Sequence, residues 1–135
     1  MPKPPAVADI QWQRDLVFHA NSGTRTLTMD GASKAGPSPV ETLAFALAGC
    51  MATDVADILT KGRHKFRAMR AHFVGDRAQE DPHRFVRVNL HFTIEGALSN
   101  DAVDRAIALS RDKYCSVWHS MRQDIEFTVS FELIA

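Results

Sequence analysis

Ser38-Pro39-Val40-Glu41-Thr42-Leu43-Ala44-Phe45-Ala46-Leu47-Ala48-Gly49-Cys50-Met51-Ala52 is the stretch on which the fold turns. Its start carries three helix signals. Ser38 is an N-cap residue, Pro39 suits the first helical position, and Glu41, three residues after Ser38, completes a capping box. Lys61 in the last turn and Gly62 just beyond close the helix. From Leu43 to Ala52 nearly every side is apolar, and a helix of that kind is buried all round. One domain of 135 residues has little room to bury such a helix unaided. A partner subunit covering the other side is therefore expected.

Outward from this helix the chain reads as strands. Residues 1–8, with Pro2, Pro4 and Pro5, form an extended arm. Ile10 to Phe18 and Thr24 to Asp30 read as two strands of a hairpin punctuated by Gly23. Gly31 to Ser38 is a loop. Met69, Ala71 and Phe73 alternate with Arg70 and His72 in a half-buried strand. The next strand is the plainest: Val86, Val88, Leu90, Phe92 and Ile94 point one way, and Arg87, Asn89, His91, Thr93 and Glu95 the other. Ser99 caps a second helix whose inner face carries Val103, Ile107, Tyr114, Trp118 and Met121, with Cys115 inside the helical pattern. Ile125, Phe127, Val129, Phe131 and Leu133 mark the inner side of a last strand. This order predicts an α+β domain over 1–135, helices on one face of a mainly antiparallel sheet.

Charge and length narrow the function. Sixteen basic residues balance sixteen acidic ones, which argues against a nucleic-acid or anionic-membrane partner. No apolar run reaches the ~18 residues of a membrane span, and the start lacks a signal-type apolar stretch. The expected location is the cytoplasm. Thiols stay reduced there, so a cysteine pair is catalytic, metal-binding or inert more often than a structural disulfide. The chain has no CxxC or HExxH, and none of His19, His64, His72, His83, His91 and His119 pairs with a cysteine at metal-ligand spacing. His119 alone shares a helix face with Cys115. No metal and no cofactor are expected.

Cys50 and Cys115 are the only cysteines, and their residues leave two readings open. Both are packed core thiols, since buried cysteine behaves as a small hydrophobe, or they run redox chemistry together. Asp54 lies one turn after Cys50, and a carboxylate there works against a thiolate. A cation from another segment must then oppose it.

Several blocks resemble the OsmC/Ohr family of osmotically inducible and organic-hydroperoxide-resistance proteins. They are Ser38-Pro39-Val40-Glu41-Thr42-Leu43, Ala48-Gly49-Cys50, Thr53-Asp54-Val55, Gly75-Asp76-Arg77-Ala78 with Pro82, and Val103 to Ser110 leading to Lys113-Tyr114-Cys115-Ser116-Val117. The details are closer to the OsmC-like branch than to Ohr proper. The resemblance implies a two-layer α+β subunit with a long central helix, buried in an intertwined homodimer. It also implies a thiol peroxidase in which Cys50 attacks an organic hydroperoxide and Cys115 resolves the sulfenic acid to a disulfide. A dithiol, such as a lipoyl group, supplies the electrons.

In Ohr-type members a hairpin arginine and a glutamate near the start of the cysteine helix activate the attacking thiol. Arg14, Arg25 and Glu41 are the residues here that answer that description. Glu41 departs from the pattern, because the Ohr glutamate directly follows the proline and Val40 holds that place. One residue is a rotation of about 100° around the helix. Glu41 is thus a helix cap or a site carboxylate, and the two arginines are hairpin surface residues or partners of Cys50. The rival function is a non-enzymatic protein of the same fold that binds a small hydrophobic ligand at the dimer interface.

Overall fold

The computed structural model describes residues 2–135; Met1, the first residue of the expected arm, lies outside the described residues. The chain falls into two compact units, one ending at Leu43 and one spanning Ala44–Ala135.

The first unit is a three-stranded antiparallel meander of β1 (Asp9–Arg14), β2 (Val17–Ser22) and β3 (Arg25–Asp30). The expected two-strand hairpin is corrected at its first strand, which breaks in two. Asp15 takes a left-handed backbone (φ 45°) and turns the chain between β1 and β2, a conformation that aspartate tolerates. The Trp12 indole N–H donates to the Asp15 carbonyl at 2.8 Å and secures that turn. Gly23 (φ 62°) makes the second turn. Asp30 then organises the loop that follows. Its buried carboxylate accepts the backbone N–H groups of Ala32 (2.8 Å), Lys34 (3.2 Å) and Ala35 (2.9 Å). Those amides, Ala35 and Ala32 foremost, hold its carboxyl below the ordinary range.

α1 (Pro39–Lys61) begins as its capping signals require. Ser38 Oγ accepts the Glu41 N–H at 3.1 Å, and Glu41 Oε1 accepts the Ser38 N–H at 2.9 Å. Within one chain its buried residues are Leu47, Met51, Val55 and Leu59. A spacing of four residues makes a single stripe. All-round burial is therefore not reached in one chain, and Phe45 is 63% exposed. By length and composition alone α1 is apolar enough to cross a membrane, a test that core helices of water-soluble proteins also pass.

The second unit holds the sheet β4 (Ala68–Arg77), β5 (Phe85–Glu95) and β6 (Glu126–Ile134), in that order. β4 and β5 pair antiparallel. β5 and β6 pair parallel, Val88 opposite Phe127 through Ile94 opposite Leu133. A parallel pair needs a crossover, and α2 (Asn100–Leu109) and α3 (Ser116–His119) lie within it. From Val88 the alternation of β5 holds, with Val88, Leu90, Phe92 and Ile94 fully buried; the expected inward Val86 is corrected, because the register with β4 shifts between Asp76 and Arg77 and Phe85 is the buried residue there. Together with the α1 stripe, Val103, Ala106, Trp118 and Phe127 they make the core. Each buried Val, Leu, Ile, Met or Phe side chain among them contributes about 1.5–3 kcal/mol by leaving water. Gly75 leaves room for the edge-on pair Phe73–Phe85, since a Cβ there would meet the Phe85 ring at 2.5 Å.

Candidate functional site

Two elements of the second unit build the site. α1 presents Cys50 and Asp54 one turn apart, both half-buried, as i and i+4 positions share a face. The other contribution comes from the segment after α2. Ser99 Oγ caps α2 by accepting the Ala102 N–H at 3.1 Å. Beyond Leu109 the helix loosens into a π turn, Ser110–Tyr114, closed by the Cys115 N–H donating to the Ser110 carbonyl at 2.7 Å.

That turn corrects the expected continuous second helix. Val103, Ile107 and Ser110 are buried in helical sequence, and four residues on, Tyr114 would be next. The extra residue of a π turn passes the inward position to Cys115. Tyr114 is 50% exposed instead, with Lys113 Nζ over its ring. Cys115 has extended backbone (φ −72°, ψ 99°) and caps α3, its Sγ accepting the Trp118 N–H at 3.4 Å. Trp118 in turn packs on Phe127 of β6 with ring centres 4.5 Å apart.

Cys50 Sγ, Cys115 Sγ and an Asp54 carboxylate oxygen lie within 4.8 Å of one another. Both thiols are free. Ser110, itself fully buried, donates its hydroxyl to Asp54 Oδ2 at 2.7 Å. Cys115 is completely buried, and its thiol is pushed up to about 11. Burial is the main cause; Cys50 and the Asp54 carboxylate add to it, and the Trp118 N–H pulls the other way. Cys115 is therefore a protonated thiol at neutral pH, while Cys50 is the sulfur with a solvent-accessible flank.

The remaining candidates have local partners. Glu41 is bound by the Ser38 N–H and by the Ser33 hydroxyl at 2.8 Å, which hold its carboxyl below the ordinary range. Of its two readings, the helix cap is the one with observed contacts. Arg25 opens β3 and donates to the Ser22 carbonyl at 3.1 Å. Arg14 ends β1 opposite Val17. Glu41, Arg14 and Arg25 all belong to the first unit, and the two cysteines to the second. His119 is exposed, with Nε2 3.0 Å from the Arg111 carbonyl oxygen. Ser110 carries only a faint signal in the sequence, a small polar residue that continues the inward positions of Val103 and Ile107 just beyond α2.

A family model described as "OsmC-like protein" matches residues 31–130. Protein YhfA of Escherichia coli is 37% identical over 131 residues, covering 95% of this chain and 98% of that protein. The crystal structure of an OsmC-like protein from Mycoplasma pneumoniae shares the fold with a TM-score of 0.87 at 15% identity, covering 99% of this chain and all of that one. An organic hydroperoxide resistance protein from Elizabethkingia anophelis shares it with a TM-score of 0.68 at 16% identity, covering 98% of each chain.

Proposed function

This chain belongs to the OsmC-like family, and from that premise we propose that it is a thiol-dependent peroxidase acting on organic hydroperoxides. One observation carries the reading: a half-exposed and a fully buried cysteine, from different elements, with sulfurs within 4.8 Å. Fold relatives that bear the name of organic hydroperoxide resistance proteins support the substrate class.

The Cys50 thiolate attacks the O–O bond and takes the terminal OH as a sulfenic acid, and the departing alkoxide takes a proton from water to leave as the alcohol. The Cys115 thiol then displaces water from Cys50 and closes a disulfide. An external dithiol, lipoyl or similar, returns both sulfurs to thiols. The order follows from access and protonation. Cys50 is reachable, whereas buried Cys115 keeps its proton at neutral pH and delivers it as the water leaves. The closure needs Cα atoms under about 7 Å apart and brings sulfurs that lie within 4.8 Å of each other to a bond of about 2.05 Å.

The whole chain, 1–135, works as one domain in a homodimer, and the partner covers the apolar face that α1 leaves open. Its setting is the cytoplasm, where the thiols rest reduced.

Mass spectrometry after one equivalent of an organic hydroperoxide tests the reading. Wild type gains a Cys50–Cys115 disulfide. Cys50→Ser consumes no peroxide, and Cys115→Ser stops at a sulfenate after one turnover. Wild-type turnover in both variants would overturn it.

A second reading has its own observation. The first unit holds an apolar recess of about 310 Å³ lined by Ile10, Leu16, Phe18, Met29, Gly31 and Pro39, and Glu41 is engaged as a cap. A ligand-binding protein without enzymatic activity uses such a recess for a small hydrophobic molecule. An unreactive Cys50 after hydroperoxide treatment would favour it.

A further inference from the structure

The three groups that converge on Cys50 are two sulfurs and a carboxylate, and these are metal ligands as well as redox groups. We infer that the reduced chain binds one zinc ion through Cys50 Sγ, Cys115 Sγ and Asp54, with a fourth position open. Neighbour spacing along the chain offers no such set. The π turn before Cys115 assembles it by bringing that sulfur against α1.

Geometry is the first argument. Around tetrahedral zinc, with Zn–S near 2.3 Å and Zn–O near 2.1 Å, ligand atoms stand about 3.5–3.8 Å apart. The three atoms here all lie within 4.8 Å of one another with no ion between them. Closing the remainder takes side-chain rotation of about an ångström or less.

The surroundings are the second argument, because metal ligands are held by hydrogen bonds from behind. Cys115 Sγ receives the Trp118 N–H at 3.4 Å, a bond that orients the sulfur. Asp54 Oδ2 receives the Ser110 hydroxyl at 2.7 Å, which fixes the carboxylate and leaves its other oxygen for an ion. Charge is the third. As ligands, two thiolates and a carboxylate carry three negative charges, and among the described residues Asp54 takes part in no salt bridge. A divalent cation is the counter-charge that such a group lacks. Two thiolates select a borderline ion such as zinc over magnesium or calcium. The half-buried flank of Cys50 provides both the entry path and the open fourth position.

The inference stands apart from the peroxide chemistry, although the ion and the disulfide compete for the same sulfurs. The experiment uses the full, tag-free chain, reduced and stripped of metal. Titration with Co²⁺ should give one ion per chain, with a thiolate-to-cobalt charge-transfer band and the visible bands of a tetrahedral ion, all removed by Zn²⁺. Cys50→Ser should lose much of the charge-transfer band. Asp54→Asn keeps the size of the side chain and an acceptor for Ser110, so it folds; its Zn²⁺ affinity should fall about tenfold or more. A wild-type chain without a charge-transfer band overturns the inference. So does an undiminished band in Cys50→Ser, or an Asp54→Asn affinity equal to that of wild type. None of these outcomes bears on the disulfide test, which is read on metal-free protein.

Discussion

Alkylating the native, reduced protein at pH 7 tests the assignment of roles to the two sulfurs. Iodoacetamide reacts with the thiolate, so its rate follows the thiolate fraction and access. The Cys115 thiol is shifted from an ordinary 9.0 to about 11. Two units reduce its thiolate fraction at pH 7 about a hundredfold. Complete burial slows it further, because the reagent reaches the sulfur only when the π turn or α3 opens. Samples quenched over time and digested give the modification of each cysteine by mass spectrometry. Cys50 should be modified first, with Cys115 behind its own rate in urea by about a hundredfold or more. The native Cys115 rate should also climb about tenfold per pH unit, without a plateau below pH 10. Stability has the same sign. A thiol raised in the fold contributes stability that is whole below its unfolded value near 9 and is lost as pH rises through about 11. If native Cys115 is alkylated as fast as the unfolded chain, the burial argument fails, and with it the assignment of Cys115 as the protected, resolving thiol.

Four further outcomes follow from particular contacts. Ser110→Ala removes a buried hydroxyl that donates to a carboxylate at 2.7 Å, at a cost of about 1.5–3 kcal/mol in urea unfolding; an unchanged midpoint would contradict that bond. Phe92→Ala empties a fully buried site in β5 and should cost about 3–5 kcal/mol, read as a lower thermal midpoint. Deleting exposed Asp112 removes the extra residue of the π turn, so Cys115 then stands four residues after Ser110, the inward place of a regular helix; oxidant-driven disulfide formation should persist with far-ultraviolet circular dichroism retained, and its loss would contradict the register argument. Asp124, gripped by Arg122 Nε and Nη2 at 2.5 and 2.6 Å, titrates at about 2 instead of 3.8. Its contribution is present above the ordinary value and lost as pH falls through about 2; a carboxyl carbon titration with a midpoint near 3.8 would refute the pairing.

Much of this fold is legible in the sequence wherever one local rule acts alone. The capping box of Ser38 and Glu41 needs only four neighbouring residues, and it forms with both reciprocal bonds. The alternation in β5 needs only a period of two, and its even-numbered residues are the buried ones from Val88 onward. The reading fails where a single backbone choice resets the register. Asp15 in a left-handed conformation divides one apparent strand into two, although Ile10 to Phe18 carries no glycine or proline to announce a turn. The π turn at Ser110–Tyr114 does the same to the second helix.

The second of these failures is also what makes the site. A regular helix from Asn100 would place Tyr114 inward after Ile107 and Ser110, and would leave Cys115 about 100° around the helix. The inserted residue trades the tyrosine for the cysteine, and Ser110, at the start of the turn, spends its carbonyl on closing that turn and its hydroxyl on Asp54. One residue thus fixes the position of Cys115 along the chain and of Asp54 across the core. Whether the cluster works as a disulfide pair, a zinc site or both, its geometry depends on that turn. This explains why two cysteines with no recognisable spacing in sequence meet in space, and why Ser110, silent in the sequence, is the residue whose loss should disturb both chemistries at once.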